Sequence, residues 1–416
     1  MKIAIIGTGI AGLGAGYILN QNHDVTFYEK NDYIGGHSRT VDITTPGGDT
    51  SVDTGFIVFN RRNYPHLVSL FEKLDVPVVE SDMSFGVSIM DGWLEYSTRS
   101  LSQTFAQKRN ILRPNFLGML VDILKFHKHS LEHRDTDITL RELLEKLKLG
   151  SWFRDYFLLP MGGAIWSMPV KQMLDYPART FIRFFDNHGL LGVNDAPQWY
   201  TVVGGSRAYV DRLTTTFKDK IKLNCGVLKV IRHETHVEIV DFEHNSTSYD
   251  QVVFACHSDQ ALMLNSSPTP SERQILGSIR YQDNHVVLHS DTSFMPQRKS
   301  AWSSWVYLSN KRQDLSSSMC VSYWMNNLQP LGVSTPVIVT LNPPEHPQSD
   351  LIYDQTVLEH PVFDQDAIDA QWRLDEIQGK DRFWYCGAWQ AYGFHEDGLL
   401  SAVKMTQKMG ETVPWG

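Results

Sequence analysis

A glycine-rich turn near the start constrains the fold more than any other feature of this 416-residue chain. Residues 2–6 form a short apolar run with β-branched side chains, which is typical of a buried parallel strand. A G-x-G-x-x-G triplet begins at Gly7, and a helical stretch runs from it to about residue 20. Residues 23–28 then have the pattern of a second strand, which ends at Glu29. This order of elements predicts a βαβ unit with its glycine turn at the first strand–helix junction.

Each part of the unit has a physical reason. Gly7 lets the backbone turn sharply, Gly9 lets a pyrophosphate approach the main chain, and Gly12 lets the helix pack closely on the strand. The free N–H groups at the helix start then face the phosphates. Glu29 follows Gly12 by 17 positions (29 − 12), close to the spacing of about 20 for an acid that binds ribose hydroxyls. The predicted dinucleotide-binding residues of this unit are Gly7, Gly9, Ile10, Ala11, Gly12, Glu29 and Lys30.

The next residues indicate which dinucleotide is bound. Residues 31–40 read NDYIGGHSRT, and the segment DTGF ends at Phe56. Together with the βαβ unit, these motifs resemble the flavin-containing amine oxidase and phytoene desaturase superfamily, in which such a stretch belongs to FAD. Members commonly have Arg directly after the glycine pair, whereas this chain has His37 there and Arg39 nearby. The resemblance implies FAD contacts at Gly35, Gly36, His37, Arg39, Gly55 and Phe56.

Later segments resemble the same superfamily. Residues 383–400 contain a strand, a glycine and an acid-Gly-Leu sequence that opens a helix, as in the family's C-terminal signature. The resemblance implies that this helix aims its N-terminus at the pyrimidine end of the flavin, where its dipole stabilises the anionic reduced ring by about 0.3–2 kcal/mol. The further cofactor-binding residues that it implies are Val227, Gly387, Glu396, Asp397, Gly398 and Leu399.

The predicted fold class is therefore α/β, with an α+β substrate region. A Rossmann-like FAD-binding domain is expected to alternate along the chain with a discontinuous substrate domain, as in amine oxidases. The FAD-binding domain is predicted to comprise residues 1–60, 198–270 and 376–416, and the substrate domain residues 61–197 and 271–375, with its helical part at about 101–185.

Local sequence patterns also predict a hairpin, two helices and a helix cap. Asp91-Gly92 between two apolar runs predicts a hairpin. Residues 115–129 and 139–149 have amphipathic helical patterns. Thr139 and Glu142 form the T-x-x-E pattern of a capping box at the start of the second helix.

The chain departs from typical amine oxidases at two catalytic positions. Those enzymes place a lysine near flavin N5 and an aromatic cage on the substrate side, whereas this chain has Asn284-His285 near the lysine position and His395 at the cage tyrosine. Histidine is suited to general acid–base chemistry near neutral pH. His395 and His285 are therefore catalytic candidates, with a purely structural role as the alternative for each.

Aromatic residues are concentrated in the predicted substrate segments. An aromatic-rich concave sheet is a common floor for a cavity that binds apolar or cationic ligands. Ordinary core packing is the alternative. The candidate cavity-lining residues are Trp166, Trp305, Tyr323 and Phe394.

Composition limits the partners and the compartment. The net charge of −9, without a basic block, argues against nucleic acid. The four cysteines are widely spaced, so we expect reduced thiols in a cytoplasmic protein. No signal peptide is expected before the first strand, and no apolar run reaches the roughly 18 residues of a spanning helix. Peripheral membrane contact stays open, the oligomeric state is not predicted, and no metal site is expected because the histidine cluster at 127–133 lacks a standard zinc spacing.

The pattern GGHSRT, AIWS, NHVVLH, YWMNNLQ and CGAW-x-x-YGFHEDGL resembles a bacterial subgroup of NAD/FAD-binding amine-oxidase-like proteins, often associated with cyclopropane-fatty-acid and modified-lipid pathways. The resemblance implies a lipid or fatty-acyl substrate. The chain has no second glycine triplet for NAD(P)H and no redox cysteine pair, so we expect a hydride to pass from an organic substrate to the flavin.

Three hypotheses follow from the sequence. The first is an FAD oxidoreductase that acts on an apolar C–C or C–H bond of a lipid-like small molecule. The second is an FAD amine oxidase that releases hydrogen peroxide, and the third is a non-catalytic flavin-binding module. Other flavin chemistry, including isomerisation without net redox change, is a further alternative.

Overall fold

The computed structural model describes residues 1–166, 173–187, 189, 191, 197–309 and 320–415, apart from the side chains of Trp166 and Asn187. Its strands are β1 Lys2–Ile6, β2 Asp24–Tyr28, β3 Thr40–Thr45, β4 Gly48–Asp53, β5 Phe59–Asn60, β6 Val78–Ser81, β7 Phe85–Ile89, β8 Leu94–Ser97, β9 Trp199–Val202, β10 Ile221–Lys222, β11 Val227–Arg232, β12 Val237–Asp241, β13 Ser246–Tyr249, β14 Gln251–Phe254, β15 Arg280–His289, β16 Trp305–Ser309, β17 Cys320–Trp324, β18 Ile338–Leu341, β19 Ile352–Val362 and β20 Phe383–Tyr385. Its α-helices are α1 Ile10–Leu19, α2 Pro65–Lys73, α3 Leu101–Thr104, α4 Pro114–His129, α5 Leu140–Lys146, α6 Ser151–Phe153, α7 Leu159–Trp166, α8 Ala178–Asn187, α9 Arg207–Thr214, α10 Ser258–Leu264, α11 Pro270–Gly277, α12 Met325–Leu328, α13 Gln365–Trp372 and α14 His395–Lys408.

A parallel five-stranded sheet has the strand order β10-β2-β1-β14-β20. Its central strand β1 is buried on both faces: Ile3 and Ile5 pack into one apolar core, and Ala4 and Ile6 into another. Parallel sheets need both faces covered, which explains why β1 is a continuous apolar run. The mixed helix and strand composition and the predicted βαβ unit are therefore confirmed.

The glycines of the first turn allow two close approaches. Gly7 has φ +103°, a conformation that favours glycine. A Cβ on Gly12 would lie 2.1 Å from the carbonyl oxygen of Gly7, so only glycine lets α1 start this close to β1. A Cβ on Gly14 would lie 2.6 Å from Leu399, which places helix α14 directly against α1.

A second, seven-stranded sheet has the order β19-β15-β18-β17-β16-β7-β8. Its β7–β8 hairpin turns at Asp91-Gly92, as predicted. The segments 101–166 and 173–187 are mostly helical and pack against this sheet through one apolar core that includes Phe116, Phe153 and Phe181. The predicted capping box between Thr139 and Glu142 is also present.

Helix α2 packs against helices α1 and α14. Leu67, Leu70 and Phe71 pack into the same core as α1 and α14, although the sequence pattern assigned this helix to the substrate domain. Strand β6 likewise pairs with β9 across the predicted boundary. The division into two discontinuous domains stays a prediction.

All four cysteines are free thiols. In the part of the chain that the structure describes, no helix has both the length and the apolar character required to cross a bilayer.

Candidate active site

A cavity of about 1300 Å³ extends from the carboxyl ends of the parallel strands into the space between the second sheet and the helical layer. Ile6, Tyr28 and Gly387 line it where β1, β2 and β20 end. Ligands of open α/β sheets bind at this edge because the glycine turn and the helix N-terminus face it. The far end of the cavity is lined by residues of the second sheet and of helices α7 and α8, including Trp305, Ile165 and Phe184.

The end of the cavity beside the parallel strands suits the ribose and pyrophosphate of a dinucleotide. Glu29 is buried, and its carboxylate accepts the N–H and hydroxyl of Thr8 at 3.1 and 2.6 Å and the N–H of Asn31 at 2.9 Å. A carboxylate has about four lone-pair positions, so one remains for a ribose hydroxyl. Helix α1 begins after Gly9 without a side-chain cap, and no other atom lies within 4 Å of where a Cβ on Gly9 would be. This open helix start fits a diphosphate.

The second glycine pair lies directly beside the first turn. A Cβ on Gly36 would be 3.1 Å from the Cα of Gly9, so the two glycine segments meet backbone to backbone. Arg39 also lines the cavity, but its guanidinium forms a two-point ion pair with Asp354 at 2.6 and 3.1 Å. The charge of Arg39 is therefore balanced within the protein.

Three partly buried histidines that line the cavity lie close together. The ring of His37 is 6.2 Å from that of His257 and 5.6 Å from that of His360, and all three line the cavity. Burial, with a smaller effect of the neighbouring His257, lowers the pKa of His37 to about 4. Burial likewise lowers the pKa of His257 to about 4 and that of His360 to about 3, so these rings are neutral near pH 7.

His395 lies in the middle of the cavity at the first position of α14. Its ring stacks on Phe56 at 3.8 Å with an interplanar angle of 10°. Its Nε2 is 2.6 Å from the hydroxyl of Tyr209, which is itself 2.5 Å from the hydroxyl of Ser38. Burial, helped by nearby His37, lowers the pKa of His395 to about 3. The imidazole is therefore held neutral in a fixed orientation.

The far end of the cavity is an aromatic and aliphatic chamber. Trp305 and Tyr323 lie on adjacent antiparallel strands with ring centroids 5.9 Å apart, and the indole N–H of Trp305 is 3.1 Å from the sulfur of Met83. Phe394 stacks on Phe184 of α8 at 5.0 Å. The other apolar lining residues of the chamber are Phe85, Met161, Ala164, Ile165, Leu328, Val339, Leu341 and Phe363.

A family model described as flavin containing amine oxidoreductase matches residues 10–360. This chain belongs to that family. It is an FAD-dependent oxidoreductase, and the open glycine turns and the free acceptor position of Glu29 fit that cofactor. No curated protein sequence matches this flavin amine oxidoreductase.

Solved structures share the fold of this flavin oxidoreductase at low sequence identity. A CLA-producing fatty acid isomerase from P. acnes has a TM-score of 0.68 at 16% identity, with 98% of each chain covered. Cyclohexylamine oxidase from Brevibacterium oxydans IH-35A has a TM-score of 0.66 at 15% identity, with 98% of this chain and 99% of that one covered. A putrescine oxidase bound to putrescine has a TM-score of 0.65 at 14% identity, with the same two coverages.

Most predicted cofactor residues line the one cavity. They are Gly7, Gly9, Ile10, Ala11, Glu29, Lys30, Gly35, Gly36, His37, Arg39, Gly55, Phe56, Val227 and Gly387. Of the predicted chamber residues, Trp305, Tyr323 and Phe394 line it as well. Trp166 ends helix α7, and its side chain lies outside the described residues. The individual roles of these residues stay predictions.

His285 does not line the cavity. Neighbouring Asn284 and Val286 are buried, and Val286 lines the cavity. Successive side chains of a strand point to opposite faces, so His285 points outwards and is exposed. We therefore do not propose a catalytic role for it.

Four predicted cofactor residues of the closing segment also lie outside the cavity lining. Glu396 accepts the N–H groups of His66 and Leu67 at 2.9 Å each and so caps helix α2. Asp397 accepts N–H groups of its own loop, from Tyr392 and Phe394. Gly398 and Leu399 pack against α1, where a Cβ on Gly398 would lie 2.9 Å from Ile10 and the Leu399 side chain faces Gly14. The contacts of these four residues position α14, which carries His395. Gly12, at the other end of the chain, likewise serves packing.

The sequence did not single out Tyr209 or His360, which come from distant segments. His257, next to Cys256 in the chain, was not singled out either. Cys256 also lines the cavity, and burial raises the pKa of its thiol to about 12. This thiol stays protonated near pH 7 and is a poor nucleophile.

Proposed function

We propose that this oxidoreductase takes a hydride from an apolar, fatty-acyl or related lipid substrate. The observation that supports this proposal is the chemistry of the chamber beyond His395. Its described lining is mainly apolar and aromatic, with Ser81, Asp82 and Gln198 as polar residues near Met83. Bound FAD supplies the hydride acceptor, and the protein supplies orientation and a dry environment.

The carboxylate of Asp82, next to Met83 of the chamber, is not available to a cationic substrate. Asp82 lines the cavity next to Met83. Its carboxylate accepts the N–H of Ser84 at 2.9 Å, the hydroxyl of Ser304 at 2.8 Å and the amide of Asn327 at 3.0 Å. It also pairs with Arg99 at 3.2 Å. Binding an ammonium group there would require breaking this network, so an uncharged chain is favoured.

His395 and Phe56 form the boundary between the cofactor region and the chamber. Their stacked rings are held by the hydrogen bond between Nε2 of His395 and the hydroxyl of Tyr209. A neutral imidazole at this position adds no positive charge to the apolar chamber. We assign His395 the task of orienting the substrate at this boundary, and the substrate proton lost with the hydride is released to water.

An amine oxidase activity is the second candidate. The tilted Trp305–Tyr323 pair, with an interplanar angle of 57°, offers two ring faces that can attract a cation. The third hypothesis, a non-catalytic module, has no support, because the chain belongs to an oxidoreductase family and its cavity is large. The cytoplasmic location stays a prediction.

Ligand binding tests the substrate class without turnover. We would titrate the FAD-loaded protein with a saturated long-chain fatty acid and with the corresponding alkylamine, and follow the change in flavin absorbance. The fatty acid is expected to perturb the spectrum, and Met161→Asp to weaken its binding by about tenfold or more because the new carboxylate is buried in the chamber and repels that of the fatty acid. Met90→Asp, at an exposed position in the turn after β7, is the control. Tighter binding of the amine, together with no response to the acid, would contradict the proposal.

A further inference from the structure

Helix α4 is apolar on two opposite faces. Phe116 and Phe126 are buried in the core of the helical layer. Leu117, Val121 and Leu124, at the i, i+4 and i+7 positions of the other face, are exposed. A surface helix normally carries polar residues on its outer face, so packing of the core does not explain these three side chains.

The exposed apolar residues continue beyond α4. Leu101 in α3 is 76% exposed, and Leu112, just before α4, is 85% exposed. No other stretch of similar length in the described parts of the chain holds as many exposed large hydrophobic residues. Soluble proteins usually scatter such residues singly. We define the 101–131 surface by its exposed side chains Leu101, Ile111, Leu112, Leu117, Val121, Leu124 and Leu131.

The charge of this segment is opposite to that of the whole protein. Residues 101–131 contain five basic side chains, Lys108, Arg109, Arg113, Lys125 and Lys128, and one acid, Asp122. Five positive charges minus one negative charge give +4 in a chain of net charge −9. Lys108 and Lys128 are exposed beside the apolar residues, and Asp122 is bonded to the N–H of Gly150. The 101–131 surface is therefore both apolar and basic.

We propose that the 101–131 surface docks on an anionic lipid bilayer. Exposed Leu and Val side chains enter the headgroup region, and lysines near the surface are attracted to acidic lipids. A second copy of this chain is a poorer partner. A two-fold interface would place the same basic patch opposite itself, and like charges would then repel.

The 101–131 surface lies on the outer side of the layer whose inner side lines the chamber. Phe126 of α4 is 5.4 Å from Phe153 of α6, measured between ring centroids. Through a π-helical turn at Arg154–Leu158, α6 continues directly into α7, where Met161 lines the chamber. Docking on a bilayer would place a lipid source against this layer, but the docking itself does not depend on the proposed substrate.

Vesicle co-sedimentation of the FAD-loaded protein tests the proposal. The protein is expected to sediment with vesicles of phosphatidylcholine and phosphatidylserine, and much less with phosphatidylcholine alone or at high salt. The triple substitution Leu112→Ser, Val121→Ser and Leu124→Ser should lower the bound fraction by about tenfold, since it removes the inserting side chains. Trp372→Ser, which alters an 80% exposed apolar residue elsewhere, should have no effect.

Two charge-reversing substitutions, Lys108→Glu and Lys128→Glu, should weaken binding to the acidic vesicles most strongly at low salt. The proposal is overturned if the unaltered protein stays in the supernatant with acidic vesicles, or if the triple variant and the Trp372→Ser control bind equally. It is also overturned if size-exclusion chromatography shows a dimer that the triple substitution converts to a monomer, since the surface would then be an interface between copies.

Discussion

The hydroxyl of Tyr209 lies 2.6 Å from Nε2 of His395, although the two residues are 186 positions apart in the chain. Helix α9 supplies the tyrosine and α14 the histidine. The Ser38 hydroxyl, 2.5 Å from that of Tyr209, extends this buried chain of polar groups towards the glycine pair. The arrangement fixes the ring of His395 at the boundary between the cofactor region and the chamber.

Tyr209→Phe is expected to free the His395 ring from this position. Anaerobic flavin reduction should slow by about tenfold, which is about 1.4 kcal/mol of barrier, and its pH dependence should shift because Nε2 loses its partner. Tyr96→Phe is the matched control, since the Tyr96 hydroxyl donates a buried hydrogen bond to the carbonyl of Tyr156 in the helical layer. Equal losses of rate in both variants would mean that Tyr209 only stabilises the fold.

His395→Ala is expected to slow flavin reduction without releasing FAD. The side chain lines the cavity, whereas the cofactor is predicted to be held mainly by backbone at the two glycine turns. Rapid mixing under anaerobic conditions measures the rate, and the ratio of flavin to protein measures retention. His285→Ala should leave both unchanged because His285 is exposed outside the cavity. An unaltered reduction rate in His395→Ala would make His395 a structural residue.

Glu29→Ala is expected to weaken FAD binding by about 1–3 kcal/mol, because ribose hydroxyls lose a buried acceptor. The measurement is a titration of the FAD-free protein, with thermal unfolding as a check on the lost bonds to Thr8 and Asn31. Glu234→Ala removes an exposed carboxylate elsewhere and should leave the affinity unchanged. Equal affinities of the two variants would argue against a ribose contact.

His289 predicts a pH dependence of stability away from the cofactor. Its Nδ1 accepts the N–H of Asp291 at 3.1 Å and its Nε2 lies 2.8 Å from the Thr340 hydroxyl, so only the neutral ring fits both bonds. Burial lowers the pKa of His289 to about 4, below the value of about 6.5 in the unfolded chain. The unfolded state therefore binds more protons between about pH 4 and 6.5. The stabilisation is complete above about pH 6.5 and is lost as the pH falls towards 4.

The measurement is the free energy of unfolding of the wild type minus that of His289→Gln. This difference should fall by about 2 kcal/mol from about pH 7 to about pH 5. Substituting the exposed His285 by Gln provides the control. A difference that does not vary with pH would contradict a buried neutral His289.

The sequence predicted the first βαβ unit well because its determinants are local. The turn at Gly7, the helix packing at Gly12 and the acid at the end of β2 all follow from residues within one segment. The closing segment was harder. The family resemblance predicts a cofactor contact at Glu396. In the structure, the start of α2 lies beside Glu396, and the carboxylate of Glu396 caps that helix.

The other differences between the sequence-based predictions and the structure also arise from contacts that only the tertiary fold creates. No periodic signal relates Tyr209 to His395 or His360 to His37, since each pair is brought together only by the tertiary fold. His285 fits the expected strand, but the register of that strand turns its side chain away from the cavity, and a shift of one residue exchanges the two faces. The sequence thus predicted the cofactor, the family and the position of His395 near the chamber, but not its partners.

The most direct test of the proposed chemistry is anaerobic mixing of the FAD-loaded protein with an unsaturated fatty acid and, separately, with the primary amine that has the same hydrocarbon chain. The two compounds differ only in their head group, so the result separates a lipid substrate from an amine substrate. We predict loss of the oxidised-flavin absorbance with the fatty acid or its acyl ester, and no change with the amine. Loss of that absorbance with the amine alone, followed by hydrogen peroxide release in air, would contradict the account.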